Sequence, residues 1–338
     1  MDSKPVPTSP YSWKLNARFR KEQTRRGYFA DPDHFIKDHS WIYHNKRWHV
    51  FYIRGKQAES CLGQKDIEVG HASTADFCDW QLHRPAPVDG APSVIEKDGT
   101  FYLYANRTDV SVSAGAEGAG IILAVSTDLE NWDLYDDNPV YVPNAKYYAW
   151  PRVKHCRDYH VMPFEDGYLM LFAEMTKDSV GCVGAIRSTD LIHWQDIGPI
   201  FLLEKPADKF TKWTEVGFGI PESPFLMEKD GKWHLWITDN STTKTYHLWS
   251  DEPLKGWSWE NSSYFHGSPT GWDWAGVYPV MNPEATSGGS AAFEILDTQF
   301  GWLVSYYYYD PTENKYVLRV QPIRWHDGHP FIFPFWPE

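Results

Sequence analysis

Three carboxylates sit at matched places in a repeating sequence. Asp38 lies in Lys37-Asp38-His39-Ser40, Asp158 in Arg157-Asp158-Tyr159-His160-Val161, and Glu222 in Pro221-Glu222-Ser223-Pro224. Each precedes, by ten or eleven residues, the aromatic that follows a polar turn: Trp48, Tyr168 and Trp233. Carboxylates brought together repel and shift one another's protonation, which is why such clusters mark sites of chemistry. Two of them flanking a glycosidic bond can cleave it. One protonates the leaving oxygen, and the other activates water or attacks the sugar. A third can tune the acid and orient the ring. Asp31, in Ala30-Asp31-Pro32-Asp33, is a second candidate base, but it lies seventeen residues before Trp48 and ranks behind Asp38. A metal site is the rival use of these groups, and it needs His or carbonyl ligands at matched distances. His39, His155 and His160 lie near in sequence without forming a ligand pattern, so they are read as groups that bond sugar hydroxyls. No cofactor is expected.

Something must bring residues 38, 158 and 222 together, and the chain repeats itself to do so. A polar turn followed by an aromatic-rich strand occurs five times. The copies begin at Asn45, Asp98, Asp166, Asp230 and, less cleanly, Gln299. Asp-Gly supplies the positive φ of a tight hairpin, and the residues after it are strand formers. A second unit ends in Trp: Ser73 to Trp80, Ser126 to Trp132, Ser188 to Trp194 and a degenerate Ser250 to Trp257. Its Ser, Thr and Asp bond their own backbone and set a turn. Each repeat therefore predicts one four-stranded antiparallel sheet. Five such sheets packed radially make an all-β, five-bladed β-propeller over residues 31–338, with residues 1–30 as an N-terminal extension. The carboxylates would start innermost strands and converge at one mouth of the axis. The other two blades offer Ala91-Pro92-Ser93 and Gly288-Gly289-Ser290-Ala291 there. Residues 12–26 carry a weak helical pattern, and Val110–Gly120 reads as a loop.

Composition narrows the function. Aromatic residues make up 17% of the chain, with 18 Trp and 20 Tyr; most belong in the core, and some can serve as platforms for sugar rings. The net charge of −13 argues against nucleic acid, whose binders carry a basic stripe. The one basic cluster, Arg18, Arg20, Lys21, Arg25 and Arg26, is short and reads as a solvated face. Cys61, Cys78, Cys156 and Cys182 have no metal or redox spacing and are read as free buried thiols. No stretch has the length of a membrane span. The first residues lack an apolar leader segment, so a cytoplasmic protein is expected as written, or a secreted or periplasmic one if a leader has been removed. Oligomeric state is open.

These motifs resemble glycoside hydrolase family 43, with features of the related family 32, over about residues 31–338. Lys37-Asp38-His39-Ser40 before Arg47-Trp48-His49-Val50-Phe51-Tyr52 is similar to the opening Asp-Pro-Ser strand. Arg157-Asp158 resembles the Arg-Asp-Pro motif, and Pro221-Glu222-Ser223-Pro224 the Glu-Gly-Pro or Glu-Cys-Pro motif. Arg324 to Pro330 resembles the family 43 ending. The resemblance implies Asp38 as general base, Asp158 as pKa modulator and Glu222 as general acid. Family 32 instead implies Asp38 as a nucleophile and retention. Pro is replaced by His39 and Tyr159, the Asn-Asp-Pro-Asn form is missing, and the sequence ends after the fifth unit without the length of a family 32 sandwich domain. These departures tilt the expectation to family 43 and inversion. Arg157, His160 and His39 are expected to touch substrate, Trp41 or Trp150 to form a stacking wall, and Trp272 and Trp274 to line the rim. A structural calcium on the axis suits such folds, but no ligand set for it emerges. The carbohydrate substrate is expected to be a terminal furanoside or pentoside. The competing readings are a glycoside phosphorylase, with Arg152, Lys154 and Arg157 as the phosphate pocket, and a non-catalytic sugar-binding propeller.

Overall fold

The computed structural model describes residues 26–56, 68–106, 120–151, 155–204, 219–239, 244–266, 291–310, 313–332 and 336. Trp272, Trp274, Arg152, Lys154, Gly288 to Ser290, the basic cluster before Arg26, the expected helix before residue 26 and residues 110–119 lie outside them.

Short strand β1 (Tyr28–Phe29) precedes five antiparallel sheets. The first holds β2 (His34–His44), β3 (Arg47–Lys56), β4 (Glu68–Thr74) and β5 (Trp80–Leu82). The second holds β6 (Asp89–Lys97), β7 (Thr100–Asn106), β8 (Ile122–Ser126) and β9 (Asp133–Leu134). The third holds β10 (Arg157–Phe164), β11 (Gly167–Met175), β12 (Gly181–Ser188) and β13 (Gln195–Leu202). The fourth holds β14 (Pro221–Lys229), β15 (Lys232–Asp239), β16 (Lys244–Ser250) and β17 (Ser262–His266). The fifth holds β18 (Ala291–Thr298), β19 (Gly301–Asp310) and β20 (Lys315–His326), with β21 (His329–Ile332) beside β20. Among the described residues the helical structure is one 3₁₀ turn, Trp259–Asn261.

The innermost strands touch in a closed ring, β2 on β6, β6 on β10, β10 on β14, β14 on β18 and β18 back on β2. Five sheets around one axis make the five-bladed propeller. The apolar core divides the same way, with a main cluster at each interface. Phe51 and Val69 meet Phe101 and Leu103 between the first two blades. Tyr104 and Leu123 meet Met170 and Phe172 at the next. Leu169 and Leu171 meet Leu226 and Leu235 at the third, Phe225 and Trp236 meet Phe293 and Val304 at the fourth, and Ile36 and Val50 meet Leu303 and Leu318 at the fifth.

The turns follow the sequence. Asp98-Gly99 and Asp230-Gly231 take positive φ at both positions, and so do Asn45 and Lys46, as two-residue primed turns require. In the third blade the two-residue turn is Glu165-Asp166, because Phe164 pairs with Gly167, so Gly167 opens the strand. The outer turn is built alike three times. Thr74, Ser126 and Ser188 each accept two backbone N–H bonds, and Asp76, Asp128 and Asp190 accept the next two. The residue after each Asp (Phe77, Leu129 and Leu191) is fully buried at positive φ. Its packing offsets the strain of that backbone. Cys156 and Cys182 are buried free thiols, while Cys78 is exposed, contrary to the expectation that it is buried.

β1 lies before the boundary expected at residue 31, yet it is part of the ring. Tyr28 pairs with Arg319 and Phe29 with Leu318, making β1 the outer strand of the fifth blade. Phe29 also reaches the first blade, stacked on Trp80 at 4.7 Å and edge-on to Tyr52 at 5.5 Å. It thus ties the last blade to the first. Truncating a buried Phe costs about 3–5 kcal/mol, so Phe29→Ala will lower the unfolding free energy read from a urea titration by that amount and move its midpoint down. Tyr43→Ala, at a half-exposed ring, will leave it nearly unchanged. A wild-type midpoint for Phe29→Ala would remove β1 from the closure.

Candidate active site

Each innermost strand breaks its ladder at the same height. Pairing is interrupted between Ile36 and His39, Asp89 and Ser93, Arg157 and His160, Glu222 and Phe225, and Ala291 and Glu294. Such bulges re-aim side chains. Here they turn residues of all five strands onto one axial depression: Asp38 and His39, Ala91 and Pro92, Asp158 and Tyr159, Ser223 and Pro224, and Ala292 with Glu294. Asp158, Ser223 and Ala292 stand at φ of 58°, 49° and 55°, a conformation that costs of order 1–3 kcal/mol without glycine.

The three carboxylates are not at equivalent positions of their strands. Counted back from the first re-paired residue (His39, His160 and Phe225), Asp38 is one residue away, Asp158 two and Glu222 three. The bulge sends successive residues in different directions, so the three approach one another from staggered places. Ser223 joins two of them. Its hydroxyl donates to Asp38 Oδ1 at 2.6 Å, and its backbone N–H donates to Asp158 Oδ2 at 3.2 Å. Arg157 joins the third. Its Nη2 donates to Glu222 Oε1 at 2.7 Å while its Nε lies 3.7 Å from Asp158 Oδ2. Its Nη1 donates to His155 Nδ1 at 2.7 Å.

Charge crowding is visible in the protonation of the set. Burial pushes the Asp158 carboxyl well up, and the charges of Asp38 and Glu222 add to it against Arg157. Burial also raises Asp38, opposed by the Ser223 hydroxyl and reinforced by Glu222. The Arg157 guanidinium is held firmly charged by Glu222 and Asp158 in spite of its burial. Burial and mutual repulsion thus favour the protonated form of both aspartates, beside one fixed cation.

The supporting residues are placed less simply. Arg157 faces the carboxylates and is bonded to Glu222, so it organises the acids. His39 lines the depression, but its Nε2 lies 2.7 Å from Ser305 Oγ, and burial lowers its pKa to about 3. His160 is not on the floor. Its Nε2 donates to the Leu226 carbonyl at 2.9 Å, a strap from the third blade to the fourth. Trp41 is not a stacking wall. It is buried against Phe77 and Trp80, and its indole N–H donates to Ser305 Oγ at 2.9 Å. Strand alternation puts Trp41 on the blade interface rather than the axis. Trp150 packs against the core between the second and third blades and is not among the floor residues. Asp31 is buried away from the axis, accepting from Tyr52 Oη at 2.8 Å with His34 Nδ1 at 3.0 Å. Burial pushes its carboxyl up, but the bonds from Tyr52 and His34 outweigh that and hold it below its usual value.

Two residues of the site escape the sequence motifs. Glu294 lines the depression from the fifth blade, and burial raises it to about 8 against a backbone bond from Trp41. Tyr307 faces the trio. Burial, and then the charges of Asp38 and Glu222, push its phenol well up. The Ser305 to Tyr309 run is the signal that could have drawn attention to Tyr307. The strongest candidate metal ligands, His49, His71 and His83, lie outside this pocket.

Comparison with known proteins gives a consistent neighbourhood. The family model described as "Glycosyl hydrolases family 32 N-terminal domain" matches residues 22–216. A probable sucrose-6-phosphate hydrolase of Psychromonas ingrahamii is 28% identical over 201 residues, 55% of this chain and 34% of its own length. The chain thus spans about a third of that relative. Among solved structures, a family 32 β-fructofuranosidase from Bombyx mori superposes with a TM-score of 0.67 at 16% identity, over 96% of this chain and 69% of that one. A thermostable family 43 glycoside hydrolase superposes with a TM-score of 0.61 at 15% identity, over 92% and 97%. At these identities the structures share the fold.

Glu294 gives the pocket a measurable signature. Its folded pKa of about 8 lies above the ordinary 4.5, so between those values the folded state keeps a proton that the unfolded state has lost. That contribution to stability is present at low pH and disappears as pH rises through about 8. Glu294→Gln removes the titration. Its denaturation midpoint will fall less than that of the wild type between about pH 5 and pH 8.5, and parallel curves for the two would refute the assignment.

Proposed function

The chain belongs to the glycosyl hydrolase family 32 N-terminal domain family, and from that premise we propose that it removes a terminal furanosyl residue, with β-fructofuranosides as the first substrate class. It is a glycoside hydrolase of the propeller type shared by families 32 and 43. The observation that supports the finer reading is that Asp38 and Asp158 line one axial depression, bridged there by Ser223, while Arg157 ties Glu222 to Asp158 beside it. In this reading Asp38 attacks the anomeric carbon. Its oxygen Oδ1 is fixed by Ser223, which aims the carboxylate. Glu222 protonates the leaving oxygen. Arg157 holds Oε1, so the transferred proton sits on Oε2. Burial beside Asp38 favours the protonated form of Asp158, which binds ring hydroxyls. Water then releases the sugar, with Glu222 acting as base, and the anomeric configuration is retained. The matched family favours this over the inverting, family 43-like course that the departures from the family 32 motif suggest.

The reading is tested with purified protein on sucrose, sucrose 6-phosphate and an aryl arabinofuranoside. Glu222→Gln will lower kcat on the natural substrate by about a hundred- to ten-thousand-fold, with a smaller loss on an activated aryl glycoside. Full activity in that variant would exclude Glu222 as the acid. The first-formed anomer, followed by NMR, decides the course: retention supports Asp38 as nucleophile, and inversion makes it the base.

A further inference from the structure

Away from the axis, three imidazoles of the first blade crowd one point against the second. His49 lies on β3, His71 on β4, and His83 just after β5. One ligand atom of each lies within 4.8 Å of those of the other two. His49 Nδ1 and His71 Nε2 are 2.9 Å apart. The ring centroids stand 5.1 Å apart for His49 and His71, 5.7 Å for His49 and His83, and 4.3 Å for His71 and His83. Three imidazoles bound to one tetrahedral ion, at a metal–nitrogen distance of about 2.0–2.1 Å, place their centroids about 5 Å apart.

The surroundings suit a cation. His71 is 1% exposed, and its Nδ1 has no hydrogen-bond partner. Burial keeps the rings of His49 and His71 neutral, the form in which imidazole ligates a metal. His83 Nδ1 lies 2.5 Å from Glu130 Oε1, the carboxylate support that ligating histidines commonly have. That leaves His83 Nε2 as the ligand atom; it now lies 2.7 Å from the Ser73 hydroxyl, which accepts from Arg47 Nε at 2.9 Å, and an ion would replace that hydroxyl as its partner. Nitrogen donors without a carboxylate cage exclude the calcium and magnesium class.

We propose that His49, His71 and His83 form a binding site for a divalent transition ion of the zinc class, with Glu130 of the second blade supporting His83. The ion would pin the first blade to the second, about the ring position where the first blade is also held by Phe51 against Trp132. The fourth blade supplies an internal comparison. His234 Nδ1 and His247 Nε2 are also 2.9 Å apart with centroids at 5.1 Å. The third ring there, His329, stands 6.2 Å from His247, and among the described residues only the first blade brings three ligand atoms together.

The full chain, stripped with a chelator, is titrated with zinc chloride by calorimetry near pH 7.5, and separately with cobalt(II) followed by visible absorption. One equivalent of zinc bound, a raised melting temperature and the strong absorption of tetrahedral cobalt are expected. His83→Ala will weaken zinc binding by at least a hundredfold, Glu130→Gln by about tenfold to a hundredfold, and His329→Ala not at all. Wild-type protein that gives no tetrahedral cobalt spectrum overturns the proposal whatever the variants do. So does zinc affinity that is unchanged in both Glu130→Gln and His83→Ala. If His83→Ala fails to fold, the cobalt spectrum and Glu130→Gln decide.

Discussion

Five strands that crowd one axis cannot all keep unbroken ladders and still offer polar groups to a ligand. Side chains alternate along a strand, so a regular inner strand sends every second residue toward a neighbouring blade. The common bulge resolves this. It interrupts pairing at one height in all five blades and aims adjacent residues at the axis. Left-handed backbone at Asp158, Ser223 and Ala292 is the strain this requires, and the packed interfaces on either side hold it in place. The axial site depends on that height being shared.

The same crowding explains the partners of the carboxylates. Three acids at one mouth would repel, and the structure answers with one cation and one hydroxyl. Arg157 sits beside Glu222 and Asp158, and Ser223 bridges Asp38 and Asp158. Both come from the bulged segments themselves. Arg157 is the residue before Asp158, and Ser223 the residue after Glu222. The acids and the groups that make their proximity tolerable are thus carried by the same few residues of chain.

The repeats were legible because turn chemistry is local. Asp-Gly pairs and Ser-Thr-Asp turns report their conformation through their own backbone, so the blades and their order could be read directly. The trio could be singled out because its motifs precede the aromatics after those turns by ten or eleven residues, although the bulges stagger the three along their strands. What could not be read is which face a residue takes once a bulge intervenes. Glu294 follows Ala291-Ala292-Phe293, with nothing local to mark it as axial, and a one-residue slip would turn it into a neighbouring blade. Trp41 and His160 fail the opposite way. They stand beside the motifs in sequence, yet alternation commits them to Ser305 and Leu226 of other blades. Pairing of Tyr28 with Arg319 is a two-residue, end-to-end contact with no sequence signature at all.

That last contact closes the ring between the two described blades farthest apart in the chain. Asp38 belongs to the first of them, and the fifth is one of its two flanking blades. Without β18 and β20 the first blade would have a single neighbour, and the depression beside Asp38 would lack Glu294 and Ala292. A ring open at that seam would hold all three carboxylates and still lack the fifth-blade wall of the depression. The seam at Tyr28 and Phe29 therefore does two things at once: it turns a curved stack of sheets into a circle and completes the wall of the site.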